Sequence, residues 1–195
     1  MTGMHDRMLR GELYLADDPE IAAAYLRAQE LADRYNATRA VDQPERDRLL
    51  RELLGRVGEG VVVRPPFRCD YGTQIAIGAQ TFVNFDCVML DVARIEIGES
   101  CQIASRVQLL TATHPIDPGL RRAGWECARP ITVGDNVWLG GGAIVCPGVT
   151  IGDDTVVGAG AVVTRDLPAG VVAVGSPARV QRPIGDQDRL GAPGS

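Results

Sequence analysis

The sequence predicts a mainly β solenoid made of stacked six-residue rungs, and three observations predict it. Aliphatic residues recur at every sixth position, glycine recurs one residue later, and the chain carries 23 Gly against only 5% aromatics. A core with so few rings has to be filled by Val, Ile, Leu and Ala, and such uniform residues suit a layer that repeats.

From Val133 the chain reads VGDNVW, LGGGAI, VCPGVT, IGDDTV, VGAGAV and VTRDLP, so the first position holds Val133, Leu139, Val145, Ile151, Val157 and Val163. Gly134, Gly140, Gly152 and Gly158 take the second position. Upstream, IGAQTF from Ile77, VNFDCV from Val83 and MLDVAR from Met89 keep the frame. It then resumes two residues out of phase with IGESCQ, IASRVQ and LLTATH, which implies a two-residue insertion near Ile95. The fifth position is small almost throughout and includes Cys69, Cys87 and Cys101. A period of six matches neither the 3.6 of a helix nor the two of a long strand. Short strands joined by tight turns fit it, with three hexads closing a triangular coil of about 18 residues that stacks on the next. The glycines are expected at the turns, where a Cβ is awkward.

Composition narrows the function. At 195 residues the chain has room for one main domain and a small extension. A net charge of -5 without blocks of basic residues argues against nucleic-acid and anionic-membrane partners, since both need a basic face. No apolar run approaches the ~20 residues that span a bilayer, and Met1 to Arg10 lacks the apolar core of a secretory signal. The expected location is the cytoplasm. Five cysteines, an odd number with no Cys-x-x-Cys pair, point to reduced, buried thiols rather than disulfides or a zinc site.

The ends and one interior stretch depart from the hexads. Asp18-Pro19-Glu20 reads as a helix start, followed by Ile21, Ala24, Tyr25, Ala28, Leu31 and Tyr35 at helical spacing. A second helix is predicted from Pro44 to about Leu54, so residues 1–58 form a helical cap over the first coil of a repeat domain spanning 59–182. Residues 183–195, rich in Gly, Pro and Asp, are expected to be disordered. Residues 115–130 carry no hexad frame and form a protruding loop, long by ordinary standards and therefore a candidate functional element. His114 stands at its base. It is one of two histidines, the other being His5 near the N-terminus, so it is either a structural residue or a catalytic base.

FRCDYG from Phe67, NFDCVMLDV from Asn84, TATHPIDP from Thr111 and GSPARV from Gly175 resemble the maltose and galactoside O-acetyltransferase family over most of the chain, cap included. The resemblance implies a left-handed parallel β-helix, an acetyl-CoA co-substrate, a sugar hydroxyl as acceptor, no metal, and a homotrimer with the donor bound between subunits. It implies His114 as general base and Asn84 as its assistant. A neutral imidazole suits proton removal from a hydroxyl near neutrality. Asp70, Asp91, Glu126 and one of Asp17 or Asp18 become candidate partners for acceptor hydroxyls, since carboxylates accept hydroxyl protons and orient a sugar. Asp91 reads equally well as a corner residue. Trp138, Gly141, Ala159 and Thr164 are implied as coenzyme contacts, with Arg179 and Arg182 for its phosphates, although Ala159 and Thr164 are also ordinary rung residues. Other acceptors, such as a lipo-oligosaccharide or an antibiotic, fit the same pattern. A trimeric scaffold without activity is the non-enzyme alternative, and failure to bind coenzyme A would favour it.

Overall fold

The computed structural model describes residues 3–189. The hexads form short parallel strands that stack into the three faces of a triangular solenoid. Face 1 carries Arg56–Val57, Ile75–Ile77, Ile95–Ile97, Ile131–Val133 and Thr150–Ile151. Face 2 carries Val62–Val63, Phe82–Val83, Gln102–Ile103, Trp138–Leu139, Val156–Val157 and Val171–Val174. Face 3 carries Phe67–Cys69, Cys87–Leu90, Gln108–Leu110, Ile144–Val145 and Val162–Val163. The six first-position aliphatics from Val133 to Val163 are all buried, one per rung.

The second-position glycines stand where the turns begin, and a Cβ is excluded there by the stacking of the next coil rather than by an unusual dihedral. A Cβ on Gly78 would lie 2.5 Å from the carbonyl carbon of Gly98 in the next coil, and one on Gly152 would lie 2.5 Å from the amide nitrogen of Ala169. The corner between faces 1 and 2 is turned instead by Gly60, Gln80, Ser100, Asn136, Asp154 and Gly170, whose φ values of 53° to 69° are left-handed in coil after coil. Side chains stitch these layers. Asp135 accepts the backbone N–H of Glu99 at 2.8 Å, and Asp153 accepts that of Asp135 at 2.9 Å. Thr81 donates to the Gly98 carbonyl at 2.8 Å, and Thr155 to that of Pro168 at 2.7 Å.

The two-residue insertion sits in one corner. Ile77 pairs with Ile97, twenty positions on, whereas Val133 pairs with Ile151, eighteen on. The extra residues fall between faces 3 and 1, and they shift the frame so that Cys69 aligns with Met89 rather than with the fifth-position Cys87. All five cysteines are free. Burial pushes the Cys87 thiol up to about 11 and raises those of Cys69 and Cys101, so these three act as small core residues.

Both ends of the stack are covered. Helix α1, Met4–Leu9, precedes α2, Pro19–Asn36, and α3, Gln43–Leu53. Asp18 caps α2 by accepting the Glu20 N–H at 2.8 Å. At the other end of α2 the Asn36 amide accepts the Phe67 N–H at 2.8 Å and donates to the Phe67 carbonyl at 2.9 Å. It stands in for a missing strand on the open edge of the first coil. At the far end Arg179–Pro183 folds back antiparallel on Val171–Val174. Within residues 183–189, Ile184 donates to the Gly170 carbonyl at 2.8 Å, and Asp188 ion-pairs with Arg182. The remainder of the expected disordered tail lies outside the described residues.

Truncating one inward aliphatic should be costly because rigid coils cannot collapse onto the void. Ile103→Ala should lower unfolding free energy by about 2–5 kcal/mol in denaturant titration.

Candidate functional site

The loop at 115–130 is folded rather than irregular. After Ala112–Thr113 it forms helix α4, Pro118–Arg122, and the strand Trp125–Ala128. That strand pairs antiparallel with Ala112–Thr113 on one side and with Tyr14–Leu15 on the other. A three-stranded sheet therefore ties the N-terminal cap, the loop and the solenoid together. Its register sets Thr113 opposite Cys127 and Tyr14 opposite Glu126. His114 emerges from this sheet with its side chain exposed, in an open groove of about 380 Å³ with Ile116, Cys127, Arg129 and Pro147.

The acidic candidates gather near the same corner. Tyr14 donates its phenolic O–H to Glu126 at 2.7 Å. Burial chiefly, then this carboxylate, raises the Tyr14 phenol and keeps it protonated as a donor. Asp70 is half-buried, and burial reinforced by Asp91 and Glu126 lifts its carboxyl to about 6. Asp91 is a correction. It is fully buried, its Oδ1 accepts the N–H groups of Asp70 (3.0 Å) and Tyr71 (2.9 Å), and its Oδ2 accepts that of Gln74 at 3.2 Å. It is a corner staple whose oxygens are already committed, out of reach of an acceptor. Asp18 is likewise committed, to the α2 cap and to the Met4 N–H at 3.1 Å. Of the pair, only Asp17 is exposed.

The remaining candidates lie elsewhere. Asn84 occupies the corner between faces 2 and 3, where its Oδ1 accepts the Phe85 N–H at 2.9 Å and leaves the amide nitrogen to donate outward. Gly141 and Ala159 follow on the same corner in later coils, beside a groove of about 660 Å³ lined by Phe85, Asp86, Ser105 and Arg106. In these later coils the corner holds only Gly140 to Gly142 and Gly158 to Gly160, and a Cβ on Gly142 or Gly160 would meet nothing within 4 Å. Trp138 projects from face 2 with 53% of its surface exposed. Thr164 lies on the corner between faces 3 and 1, the side of His114. Arg179 is exposed on the terminal strand. Arg182 does not stand free as expected, because Asp188 takes its guanidinium through two 2.7 Å contacts and is itself held down at about 2. Both partners are solvent-accessible, so the pair is weak and exchangeable. One chain thus sets His114 and Asp70 on the corner between faces 3 and 1, but Asn84 and the bare later coils on a different edge.

Sequence reasoning missed Tyr14, Tyr71 and Arg121. Tyr71 lies in the FRCDYG segment, so its type was on view; Tyr14 meets Glu126 only across 112 positions of chain.

The stacked hexads and the helical cap each have a counterpart among known families. Residues 130–165 match the family model for bacterial transferase hexapeptide (six repeats), and residues 7–58 match the maltose acetyltransferase hexapeptide capping motif. Nodulation protein L of Rhizobium meliloti strain 1021 is 54% identical over 90% of this chain and 96% of its own length. Galactoside O-acetyltransferase of Escherichia coli K12 is 38% identical over 95% and 92%. The maltose O-acetyltransferase structure from Clostridium difficile 630 superposes with a TM-score of 0.93 at 44% identity, covering 95% of this chain and 99% of that one. A galactoside acetyltransferase in complex with coenzyme A gives 0.93 at 37%, covering 96% and 94%. The chain belongs to the maltose and galactoside O-acetyltransferase family. Among the described residues no helix is long and apolar enough to cross a membrane, and no three His, Cys, Asp or Glu side chains cluster as a metal site.

The Asp70 carboxyl lies above its ordinary value near 3.8, so its protonated form is favoured in the folded state and ionisation costs stability as pH rises through about 6. Asp70→Asn should therefore be more stable than the parent at pH 8, by about 1–2 kcal/mol after allowance for partial solvation, with the difference gone below about pH 4. Thermal melts across that range measure it.

Proposed function

We propose that this chain transfers the acetyl group of acetyl-CoA to a hydroxyl of a neutral sugar, with His114 as general base, in a cytoplasmic homotrimer whose donor groove runs between subunits. The observation that carries the reading is His114 standing exposed in a groove at the base of the inserted loop, on the solenoid corner that also holds Asp70, in a chain whose relatives include named sugar O-acetyltransferases.

His114 takes the proton of the acceptor hydroxyl as that oxygen attacks the thioester carbonyl. Bound acetyl-CoA supplies an activated acyl group and a thiolate that leaves with little assistance, its conjugate thiol having a pKa near 8.5. The imidazolium then returns its proton to the departing sulfur, and no covalent enzyme intermediate is needed. The Asn84 amide nitrogen is the donor for the tetrahedral oxyanion. Glu126, Asp70 and Asp17 accept acceptor hydroxyls, and their negative charge favours neutral over anionic glycosides. The bare edge at Gly141 and Ala159 leaves room for pantetheine, with Trp138 and Thr164 as its neighbours. The chain has no lysine, so the phosphates fall to Arg179 and to Arg182 once Asp188 releases it.

Two observations support assembly. His114 and Asn84 lie on different edges of one chain, so both can serve one transfer only if neighbouring chains bring these edges together. The outward residues of face 2 include Phe82, Trp138, Val156 and Val172, and those of face 3 include Val88, Ile144 and Val162, whereas face 1 presents Glu96, Thr132 and Thr150. Two apolar faces and one polar face suit a closed ring of three.

His114→Ala should lower kcat by about 10² or more with acetyl-CoA binding nearly unchanged. Acetyl-CoA consumption over a panel of neutral, amino and uronic glycosides tests both assignments: unchanged turnover rejects the base, and a preference for anionic acceptors rejects the acidic pocket. Co-expressing His114→Ala with Asn84→Ala chains should restore about a quarter of parental activity, the share of interfaces that pair two intact residues in random trimers. No recovery would mean that each chain completes its own site.

A further inference from the structure

The loop after His114 is closed on itself by one side chain. Arg121, on α4, donates from Nη1 to the carbonyl oxygens of Pro115 (2.9 Å) and Ile116 (3.0 Å), the two residues that follow His114. Asp117 caps the same short helix by accepting the Leu120 N–H at 2.7 Å. Residues 115–121 therefore form a small ring with a polar clasp. On the other side of His114, Thr113 is fixed by its pairing with Cys127. His114 is the single residue between a β ladder and a clasped ring, and the following proline further restricts its backbone.

Resting on the general-base reading above, we propose that Arg121 is a positioning residue: it holds the Pro115–Ile116 segment so that the His114 imidazole is presented to the groove at one angle. Arginine suits the task because one guanidinium nitrogen carries two hydrogens in a rigid plane and can serve two carbonyls at once. Those carbonyls lie at the surface, so losing the clasp exposes them to water and costs the fold little. The spread it permits in the imidazole is costly, since a misplacement of about 1 Å can reduce turnover by about 10². Ile116, 94% exposed and lining the groove, has its carbonyl in the same clasp.

The test uses the full chain in a His5→Ala background, which leaves one imidazole signal because the sequence holds two histidines. Arg121→Ala should lower kcat about tenfold or more, leave the KM for acetyl-CoA and the melting temperature nearly unchanged, and shift or broaden the His114 ring resonance. Arg121→Lys should recover part of the loss, and Arg121→Ala added to His114→Ala should cause no further drop, as expected when one residue acts through the other. Parental kcat with an unaltered ring signal would overturn the proposal. So would an Arg121→Ala penalty of equal size with and without His114. Unchanged turnover in His114→Ala alone rejects the general-base reading instead, and the ring signal then still reports whether Arg121 orders the imidazole.

Discussion

The close stacking of one coil's backbone on the next governs the rest of this molecule. Parallel strands two to four residues long cannot hold themselves together, so each rung depends on ladder bonds to the rungs above and below. That demand excludes a Cβ at Gly78 and Gly152, where the next coil's backbone is already at contact distance. It sets left-handed residues in columns at two corners, Gln80, Ser100, Asn136 and Asp154 at one and Asp86, Arg106, Gly142 and Gly160 at the next, and it makes the first and last rungs liabilities. The Asn36 amide and the returning strand Arg179–Pro183 answer the same need at opposite ends, one with a side chain and the other with backbone.

Stacking also dictates where chemistry can be added. Extra residues within a face would break a ladder, whereas extra residues at a corner bulge outward and leave register intact. The corner between faces 3 and 1 takes all of the larger insertions: two residues in each of the first two coils and the whole loop in the third. Asp70, Asp91 and His114 therefore stack on one edge. Asp91 works inward, satisfying three backbone N–H groups that the enlarged turn would otherwise leave unpaired. Asp70 lies on the turn that Asp91 holds, and His114 is exposed two coils further along the same edge.

The solenoid was legible because its signal is local and repeated: every hexad restates the same burial pattern, so the frame and its slip near Ile95 can be read without knowing what touches what. His114 and the bare edge at Gly141 stood out as a lone imidazole beside a frame break and a glycine run. Contacts closed by folding carried no such signal. Tyr14 and Glu126 meet across 112 positions, Arg182 is taken by a carboxylate in what composition marked as tail, and Cys69 changes register because of two residues inserted after it. Asp91 misled for a related reason. Its residue type suits a sugar hydroxyl and a corner amide equally, and only burial separates the two roles.

The cap does more than cover an edge. Strand Tyr14–Leu15 leaves the helical segment to pair with Trp125–Ala128, so a residue from the cap orients a carboxylate from the loop over a corner of the solenoid. Three carboxyls share that corner. Asp91 has its oxygens taken by backbone donors, though burial still raises its proton affinity, and Glu126 accepts the Tyr14 phenol, while Asp70, raised by burial and by both neighbours, has no side-chain donor among the described residues. A structure optimised for stability alone would replace such a group, since an ionised Asp70 weakens the fold at neutral pH. Retaining an under-compensated carboxyl where cap, loop and solenoid converge is the pattern expected of a binding site, where stability is given up for contact with a ligand.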